Sequence, residues 1–289
     1  MSRVIFTLDI QLKESEYHDD KNYADITRFK ESLKKKHEDY ATLCGADYKV
    51  FYRDGLFNDL HQGLKLLDPT QEVYHTICCY KFFVCDILAN QYDEVFYFDL
   101  DVVPNTTENI FEHFDLSTGI ALAPSYSPHR DFMPFGERGF QTYIKAANAV
   151  PEVDSRSVLV KYAFVRNLLM LDGIYDEPDI WNTGIIGIDC KSVQKLNYFG
   201  GDFKEIVAEI CDMRNEHTFF KKDITQYFGL NDGEGLLSYL TITRDLNVHK
   251  MDDLWHHMYK EWNVGWLNNQ AHMIHFINKR FEDAPNILR

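Results

Sequence analysis

Two aspartates, Asp99 and Asp101, directly follow a run of apolar, β-prone residues at 95–98. Such a run is typical of a strand buried in a parallel sheet, and the ends of such strands border the ligand crevice of open α/β sheets. Carboxylates at i and i+2 can hold one divalent cation between them, and oxygen ligands favour Mg²⁺ or Mn²⁺. These ions leave coordination positions open for substrate phosphates. The alternative interpretation is that both residues only cap the strand and hydrate a turn.

A second segment that could bind a ligand is Trp181-Asn182-Thr183-Gly184, which precedes the apolar strand predicted at 185–188. Gly184 would let the backbone approach a ligand closely, and Asn182 offers both a donor and an acceptor to sugar hydroxyls. A simple turn before a strand would explain the Asn and the Gly but not the adjacent Trp. We therefore favour a binding role for this segment.

The bulk composition limits the partners. A chain of 289 residues with 45% hydrophobic content can bury a large core, and one or two domains are expected. The net charge of −15 disfavours nucleic acid as a partner. The same charge repels a nucleoside diphosphate, so such a ligand would need a local cation and a few well-placed basic side chains.

The six cysteines show no zinc-type pairing, and several lie inside apolar runs. They are therefore interpreted as thiols of a reducing compartment. The N-terminal residues form a short predicted strand followed by charge, which is unlike a signal peptide. No apolar run approaches the roughly 20 residues of a membrane helix. We expect a cytoplasmic protein without a transmembrane segment.

The first half of the chain alternates strands and helices. Strands are predicted at 4–8, 47–52 and 120–123, and a helix at 22–43. A further helix is predicted to begin at Asp68 as N-cap, with Pro69 and Gln71 in its first turn, and to end near Ala89. This helix would pack behind the strand that carries Asp99.

The second half contains a long insertion at 124–180, and long excursions on a compact domain are commonly lids or binding loops. The insertion is predicted to hold a loop and then helices at about 141–149 and 157–171. A capping box at Asp202 predicts a helix to about Arg214. Near the C-terminus a short strand would turn His275 to the side opposite Ile274 and Phe276.

These motifs resemble those of GT-A nucleotide-sugar glycosyltransferases, and in particular the glycogenin-like, family 8-type group. The resemblance rests on three motifs: the apolar strand ending in Asp-x-Asp, the Trp-Asn-Thr-Gly segment and the C-terminal "HMIHFINKRF". The resemblance implies an α/β, GT-A (Rossmann-like) fold with a mixed, mainly parallel sheet flanked by helices and an acceptor-side insertion. It implies one domain over 1–289, with a nucleotide-binding half at 1–123 and an acceptor-binding half at 124–289.

The resemblance also implies roles for individual residues. A cation, Mn²⁺ or Mg²⁺, would be held by Asp99, Asp101 and His275. His272 is a less well-spaced substitute, and Asn278 stands where the family has a Gly, which loosens the match of Lys279 to its diphosphate-binding lysine. The implied contacts to the nucleotide-sugar donor are spread along the chain: Thr7, Asp9, Tyr17, Arg53, Lys81, Asp99, Asn182, Gly184 and Lys279. A solvated lysine is the alternative for Lys81.

The acidic segment at 231–237 resembles the family's segment where an acidic or amide residue precedes a Leu-Leu helix. Glu234 or Asp232 is thereby implied as the acceptor of the attacking hydroxyl's proton. The glycogenin-like retaining families usually have Asp-Gln here, and Gly233-Glu234 departs from that pattern. Retention and inversion therefore both stay open, and an Asp with a Glu in a first helical turn is the plain structural alternative.

The implied function is a metal-dependent hexosyl- or deoxyhexosyltransferase that moves a sugar from a nucleotide donor to a glycan, glycoconjugate or other hydroxyl acceptor. One rival is a haloacid-dehalogenase-like phosphatase using Asp99 as nucleophile. Its later acidic motif is incomplete, because Ile206 stands where a second Asp belongs after Gly201-Asp202. The other rival is a non-catalytic, metal-dependent carbohydrate-binding protein.

An aromatic segment at 255–266 precedes the C-terminal strand and contains three of the four tryptophans. Its polar residues predict a partly exposed platform on which at least one of Trp255, Trp262 and Trp266 stacks on the acceptor glycan. In a helix, Trp255, Tyr259 and Trp262 would share one face, so a core stripe is the alternative.

Overall fold

The computed structural model describes residues 1–13, 16, 20–126, 153–216, 233–259, 270–277 and 281. The described strands form one six-stranded and one three-stranded sheet. In chain order they are β1 (Arg3–Asp9), β2 (Asp47–Tyr52), β3 (Glu94–Phe98), β4 (Val102–Pro104), β5 (Ile120–Tyr126), β6 (Ile180–Asp189), β7 (Val248–Lys250), β8 (His257–Met258) and β9 (Met273–His275).

The described helices alternate with these strands along the chain. They are α1 (Asp20–Leu43), α2 (Gly55–Leu67), α3 (Val73–Ala89), α4 (Ile110–His113), α5 (Val153–Leu171), α6 (Cys190–Leu196), α7 (Phe203–Glu216) and α8 (Glu234–Thr243), with a 3₁₀ turn at Leu116–Thr118. The helices predicted at 22–43, 157–171 and 202–214 are thus confirmed to within a few residues. The loop at 127–140 and the helix predicted at 141–149 lie outside the described residues.

The central sheet has the order β2-β1-β3-β6-β5-β7. β1 pairs in parallel with β2 and β3, and β5 pairs in parallel with β7, whereas β6 is antiparallel to both of its neighbours. Five strands therefore run in one direction and β6 runs against them. The predicted mixed, mainly parallel sheet flanked by helices is confirmed.

Strand β3 is buried on both faces of this sheet, which explains its unbroken apolar sequence. Val95 and Tyr97 belong to an apolar cluster that includes residues of α3, whereas Phe96 and Phe98 belong to a second cluster that includes residues of α1. Burying each Phe stabilises the fold by roughly 1.5–3 kcal/mol. The strand that delivers Asp99 is thus fixed from both sides.

Asp68 does not begin a helix as predicted, and the correction has a clear physical cause. It follows the last residue of α2, a helix that the sequence reading missed, and α3 begins only at Val73. The Asp68 carboxylate accepts hydrogen bonds from the backbone and hydroxyl of Thr70 and from Arg214. The residue therefore anchors the turn between two helices.

The aromatic segment is also corrected where it is described. Trp255 lies in a turn before β8, is 2% exposed, and packs against Phe114 and His272. It belongs to the core and is not part of an exposed helical platform. Trp262 and Trp266 lie outside the described residues, so their contact with an acceptor stays a prediction.

Two further expectations concern the cysteines and the possibility of a membrane-spanning helix. All six cysteines lie among the described residues, and none of them forms a disulfide bond. Within the described ranges, no helix combines the length and the apolar character required to cross a membrane.

The buried His37 on α1 makes stability depend on pH. Its Nε2 donates to the carbonyl of Val102 at 2.5 Å, and burial lowers the pKa of His37 to about 4 from its ordinary 6.5. Between these values the unfolded chain binds a proton that the folded chain does not, so stability falls as pH decreases. We expect a loss of about 3 kcal/mol from this residue by pH 4.

Urea unfolding in metal-free buffer between pH 7 and pH 4 measures this contribution. His37→Gln keeps a donor for Val102 but cannot titrate, so its stability should fall less steeply than that of the wild type. His249→Gln, on the partly exposed β7, is the matched control and should follow the wild type. Equal slopes for the His37 variant and the wild type would contradict the prediction.

Candidate metal centre

The centre is built at the end of β3, where the chain leaves the sheet in a tight turn. Asp99 follows the strand directly, and its backbone N–H donates to the carbonyl of Gly184 on β6 at 2.8 Å. The N–H of Val102 then donates to the carbonyl of Asp99 at 2.9 Å, closing a four-residue turn that contains Asp101. The turn points both carboxylates towards the same side, as their spacing predicts.

The third member of the centre arrives through the small sheet β4-β9-β8. β4 pairs antiparallel with β9, and Val102 lies opposite His275 in the register. The N–H of Phe276 donates to the carbonyl of Asp101 at 2.9 Å, which fixes this alignment beside the turn. A distant part of the chain thereby brings an imidazole next to the two carboxylates.

Asp99, Asp101 and His275 each offer one ligand atom, and these atoms all lie within 4.8 Å of one another. His275 Nε2 is 3.4 Å from Asp101 Oδ2 and 3.9 Å from Asp99 Oδ2. Two ligands of a single Mg²⁺ ion lie at most about 4.2 Å apart, since each bond is about 2.1 Å. The arrangement and the O, O, N donor set therefore fit a small divalent cation after little movement.

Burial within the centre is uneven. Asp101 and His275 are only 2% and 5% exposed, whereas the Asp99 side chain is 29% exposed. A buried carboxylate next to a second one is costly without positive charge nearby, which a bound cation would supply in addition to Lys81. The accessible side of the centre is that of Asp99.

Lys81 on α3 supports Asp99 from inside the protein. Its Nζ donates to Asp99 Oδ1 at 3.3 Å, and to both the carbonyl and the hydroxyl of Thr183 at 3.1 Å. Burial opposes the charge of Lys81, but the Asp99 carboxylate outweighs it and raises the pKa of the amine. The Tyr97 hydroxyl donates to the same Asp99 oxygen. Asp99 Oδ1 is thus held in place, while Oδ2 faces His275.

Lys81 was predicted to contact the diphosphate of the donor, with a solvated lysine as the alternative. The structure excludes the solvated alternative, because Lys81 is only 3% exposed. Its three hydrogen bonds match the three donors of an ammonium group. Contact with a donor therefore requires the exchange of at least one of these bonds, and this role stays a prediction.

Glu234 lies in the first turn of α8 and continues the same network. Its Oε1 accepts from the backbone N–H of Thr183 at 3.2 Å, and its Oε2 pairs with Lys161 on α5 at 2.7 Å. A chain of contacts thereby joins Glu234 to Asp99 through Thr183 and Lys81. The other predicted proton acceptor, Asp232, lies outside the described residues.

Strand β6 begins at Ile180, five residues before the predicted start, so the Trp-Asn-Thr-Gly segment lies inside the strand. Its pairing with β5 shifts between Ile186 and Asn182, which marks a bulge. Within the bulge, Asn182 Oδ1 accepts from the N–H of Gly184 at 2.8 Å. The bulge brings the Gly184 backbone against the His275 ring.

Three of the other predicted donor contacts, Thr7, Asp9 and Arg53, lie at or near the ends of β1 and β2. Thr7 is fully buried, and its hydroxyl has no hydrogen-bond partner among the residues that the structure describes. The Asp9 carboxylate is paired with Lys30 and Lys34 of α1, and Arg53 is paired with Glu16 at 2.9 Å. Tyr17 and Lys279 lie outside the described residues. The donor-binding roles of these residues stay predictions.

The sequence reading missed three residues that support the centre, namely Tyr97, Thr183 and His256. His256 is buried and its Nε2 lies 3.1 Å from His275 Nδ1. Burial, together with the neighbouring His275, lowers the pKa of His256 well below its ordinary value. Tyr97 carried a detectable signal, because it lies two residues before Asp99 in a strand and therefore shares its face.

Gly184 is predicted to be essential for steric reasons. A Cβ at this position would lie 2.5 Å from Cε1 and 2.6 Å from Nδ1 of His275. Gly184→Ala should therefore displace the imidazole and lower Mn²⁺ affinity at least about 10-fold, a typical effect of disturbing a ligand's support. Electron paramagnetic resonance of free Mn²⁺ measures the affinity of the variant for the ion. Overpacking by the added methyl group should also lower the stability of Gly184→Ala by about 1–3 kcal/mol.

The matched control is Gly63→Ala on α2, where a Cβ would meet no atom within 4 Å. This variant should bind Mn²⁺ as the wild type does and be slightly more stable, because alanine favours a helix over glycine. Unchanged Mn²⁺ affinity in Gly184→Ala would show that the ring of His275 does not depend on this space.

No protein-family model and no curated protein sequence matches the chain. Among solved structures, the chain aligns with a glycosyltransferase involved in the glycosylation of the major capsid of PBCV-1, at 11% identity and a TM-score of 0.47, over 98% of this chain and 97% of that one. It aligns with mouse xyloside xylosyltransferase 1, apo form, at 13% identity and a TM-score of 0.46, over 96% and 99%.

A third solved structure is the galactosyltransferase LgtC in complex with donor and acceptor sugar analogues. The identity is 12% and the TM-score is 0.37, over 95% of this chain and 87% of that one. These three aligned structures are those of glycosyltransferases.

Proposed function

We propose that this protein is a metal-dependent glycosyltransferase of the GT-A type, which moves a sugar from a nucleoside diphosphate donor to a hydroxyl acceptor. The observation that carries the proposal is the cluster of Asp99, Asp101 and His275 at the end of β3. Two carboxylates and one imidazole suit Mn²⁺ or Mg²⁺ with coordination positions left for phosphate oxygens.

The protein's own residues prepare this site in two ways. Lys81 and Tyr97 fix one oxygen of Asp99, so that the other oxygen keeps its direction towards the centre. Asp101 and His275 are buried, so little water reaches their ligand atoms. When bound, the cation neutralises the negative charge that develops on the departing nucleoside diphosphate.

Glu234 and Asp232 remain the proposed acceptors of the proton from the attacking hydroxyl. Both carboxylate oxygens of Glu234 are paired in the structure, one with Thr183 and one with Lys161. The ammonium group of Lys161 beside Oε2 favours the ionised form of Glu234, so proton uptake by Glu234 would be easier once Lys161 moves away. Variants of Lys161 and of Glu234 can therefore test whether Glu234, rather than Asp232, accepts the proton.

The finer aspects of the proposal concern the substrates and the location. We propose a hexose or deoxyhexose as the transferred group, and a glycan or glycoconjugate as the acceptor. Thr7, Asp9 and Arg53 at the ends of β1 and β2 are the proposed donor-side residues. We also propose a cytoplasmic location, which the six free thiols support.

A panel of nucleotide sugars tests the proposal. Each donor is combined with Mn²⁺, and both thermal stabilisation and slow donor hydrolysis are measured. We expect one or two donors to stabilise the protein and to be hydrolysed, and EDTA to abolish both effects.

The rival functions give different results in the same assay. A carbohydrate-binding protein would be stabilised without hydrolysing any donor. A phosphatase would form a covalent phosphoryl group on Asp99 and would not need the nucleotide. Metal-independent donor hydrolysis, or no response to any donor, would contradict the proposed function.

A further inference from the structure

We propose that His256 is a positioning residue that orients His275 as a metal ligand, an inference that rests on the proposed metal-dependent function. The two imidazoles are hydrogen-bonded, with 3.1 Å between His256 Nε2 and His275 Nδ1. Their ring centroids are 5.1 Å apart and the planes cross at 62°. Both side chains are buried, at 4% and 5% exposure.

The hydrogen-bond direction follows from what His275 must do. Its Nε2 faces Asp101 Oδ2 and Asp99 Oδ2, so this nitrogen is the one that offers a lone pair to a cation. A neutral imidazole carries a single N–H, which must then be on Nδ1. That N–H donates to His256 Nε2, and the contact favours the metal-binding tautomer over the other one.

The backbone around His256 holds it firmly. Its N–H donates to the carbonyl of Asp252 at 3.0 Å, and the Asp252 carboxylate accepts from the N–H groups of Leu254 and Trp255. The next residue begins β8, which pairs in parallel with the strand that carries His275. A rigid turn and a strand pairing therefore set the position of the acceptor nitrogen.

The opposite contact of the His275 ring is the backbone of β6 at Gly184. The ring is thus enclosed by His256 on one side and by Gly184 on another. Without the acceptor at 256, a buried N–H on Nδ1 would lose its hydrogen-bond partner, which is unfavourable for a donor that water cannot reach. Moving the hydrogen to Nε2 avoids this cost but removes the lone pair that a cation needs.

The test uses variants that separate ring volume from hydrogen bonding. His256→Phe keeps a ring of similar volume and removes the acceptor, whereas His256→Gln returns an acceptor oxygen near the position of Nε2. The affinity for Mn²⁺ alone is measured by electron paramagnetic resonance in the full chain, and melting temperatures report folding. His275→Ala defines the loss of the ligand itself. His61→Phe, at a buried histidine bonded to Thr76, is the control.

We expect His256→Phe to lower Mn²⁺ affinity about 10- to 100-fold, as for other partners of metal-binding histidines, and His256→Gln to recover most of it. His61→Phe should bind as the wild type does. If His256→Phe does not fold, His256→Leu takes its place with the same expectation. In the Mg²⁺-loaded wild type, ¹⁵N chemical shifts should show the His275 hydrogen on Nδ1.

Three results would overturn the inference while leaving the proposed function intact. They are wild-type Mn²⁺ affinity in the folded Phe or Leu variant, equal losses in the Phe and Gln variants, and a hydrogen on His275 Nε2 in the loaded protein. A wild-type protein that binds no Mn²⁺ would instead overturn the metal site itself, and with it the proposed function.

Discussion

Asp101→Asn is expected to lower glycosyl transfer at least about 10³-fold, because in the proposed mechanism it removes a charged ligand of the cation that neutralises the leaving group. Asp101 is 2% exposed, and its Oδ2 lies 3.4 Å from His275 Nε2. An amide oxygen keeps the shape of the side chain but not its charge. Mn²⁺ affinity should fall in parallel.

The fold should survive this substitution. In the metal-free protein, Asp101→Asn removes the repulsion between two neighbouring carboxylates, so the melting temperature should stay the same or rise. Added Mn²⁺ should stabilise the wild type but not the variant. The measurements are donor turnover and melting temperature, each with Mn²⁺ and with EDTA.

The matched control is Asp189→Asn, the same substitution at another buried aspartate. Asp189 caps α6 by accepting from the N–H of Ser192 at 2.8 Å, and asparagine is an equally good cap. This variant should keep wild-type Mn²⁺ affinity. Transfer activity that persists in Asp101→Asn and still responds to Mn²⁺ would remove Asp101 from the centre.

Arg214→Met is expected to have the largest effect on stability, about 3–5 kcal/mol. Arg214 forms a bidentate ion pair with Asp68, with N–O distances of 2.7 and 2.9 Å, and Asp68 is fully buried. The substitution leaves an uncompensated carboxylate between α2 and α3. Urea unfolding at pH 7 measures the loss.

Two further variants separate the buried pair from surface charge. Asp68→Asn combined with Arg214→Met removes both charges and should recover a large part of the loss. Arg244→Met breaks the exposed pair with Asp202 and should cost only about 0–1 kcal/mol, because solvent screens such pairs. Equal losses in Arg214→Met and Arg244→Met would contradict the assignment.

The Arg214 effect should also depend on pH. Burial opposes the charge of Asp68, but its hydrogen bonds with Arg214 and Thr70 outweigh burial and lower the pKa of this carboxyl below 3.8. A carboxyl with a lowered pKa stabilises the fold above its ordinary pKa and loses that contribution as pH falls. Without Arg214 the buried carboxyl should have a raised pKa and take up a proton at higher pH than in the wild type. The difference between wild type and Arg214→Met should therefore shrink progressively as the pH falls from 7.

The sequence was sufficient where structure follows from local periodicity. The apolar run before Asp99 predicted a buried strand, and β3 is buried throughout. The alternation at 273–276 predicted a strand that presents His275 away from Ile274, and β9 brings His275 to the two carboxylates. In these elements, side-chain direction is set by the backbone repeat alone.

The errors occurred where a distant partner decides the structure. Asp68 has the chemistry of an N-cap, but Arg214 and Thr70 engage its carboxylate instead. Helical spacing could not decide whether Trp255 faces solvent or core, since packing against Phe114 is a tertiary contact. Gly184 was singled out for close approach to a ligand, which stays a prediction; in the structure the neighbour of its backbone is the ring of His275.

The small sheet has a consequence for how the protein opens. Its strands β4, β9 and β8 contain only three, three and two residues, so few backbone hydrogen bonds hold it together. Such a unit is a natural place for local unfolding below the global free energy. A cation held by Asp99, Asp101 and His275 would fasten β9 to the end of β3. A cation at 100 times its dissociation constant would stabilise the bound, folded form by about 2.7 kcal/mol. Metal occupancy would then control the solvent-exchange rate of amides such as that of Phe276, which donates to the carbonyl of Asp101 just after the end of β3.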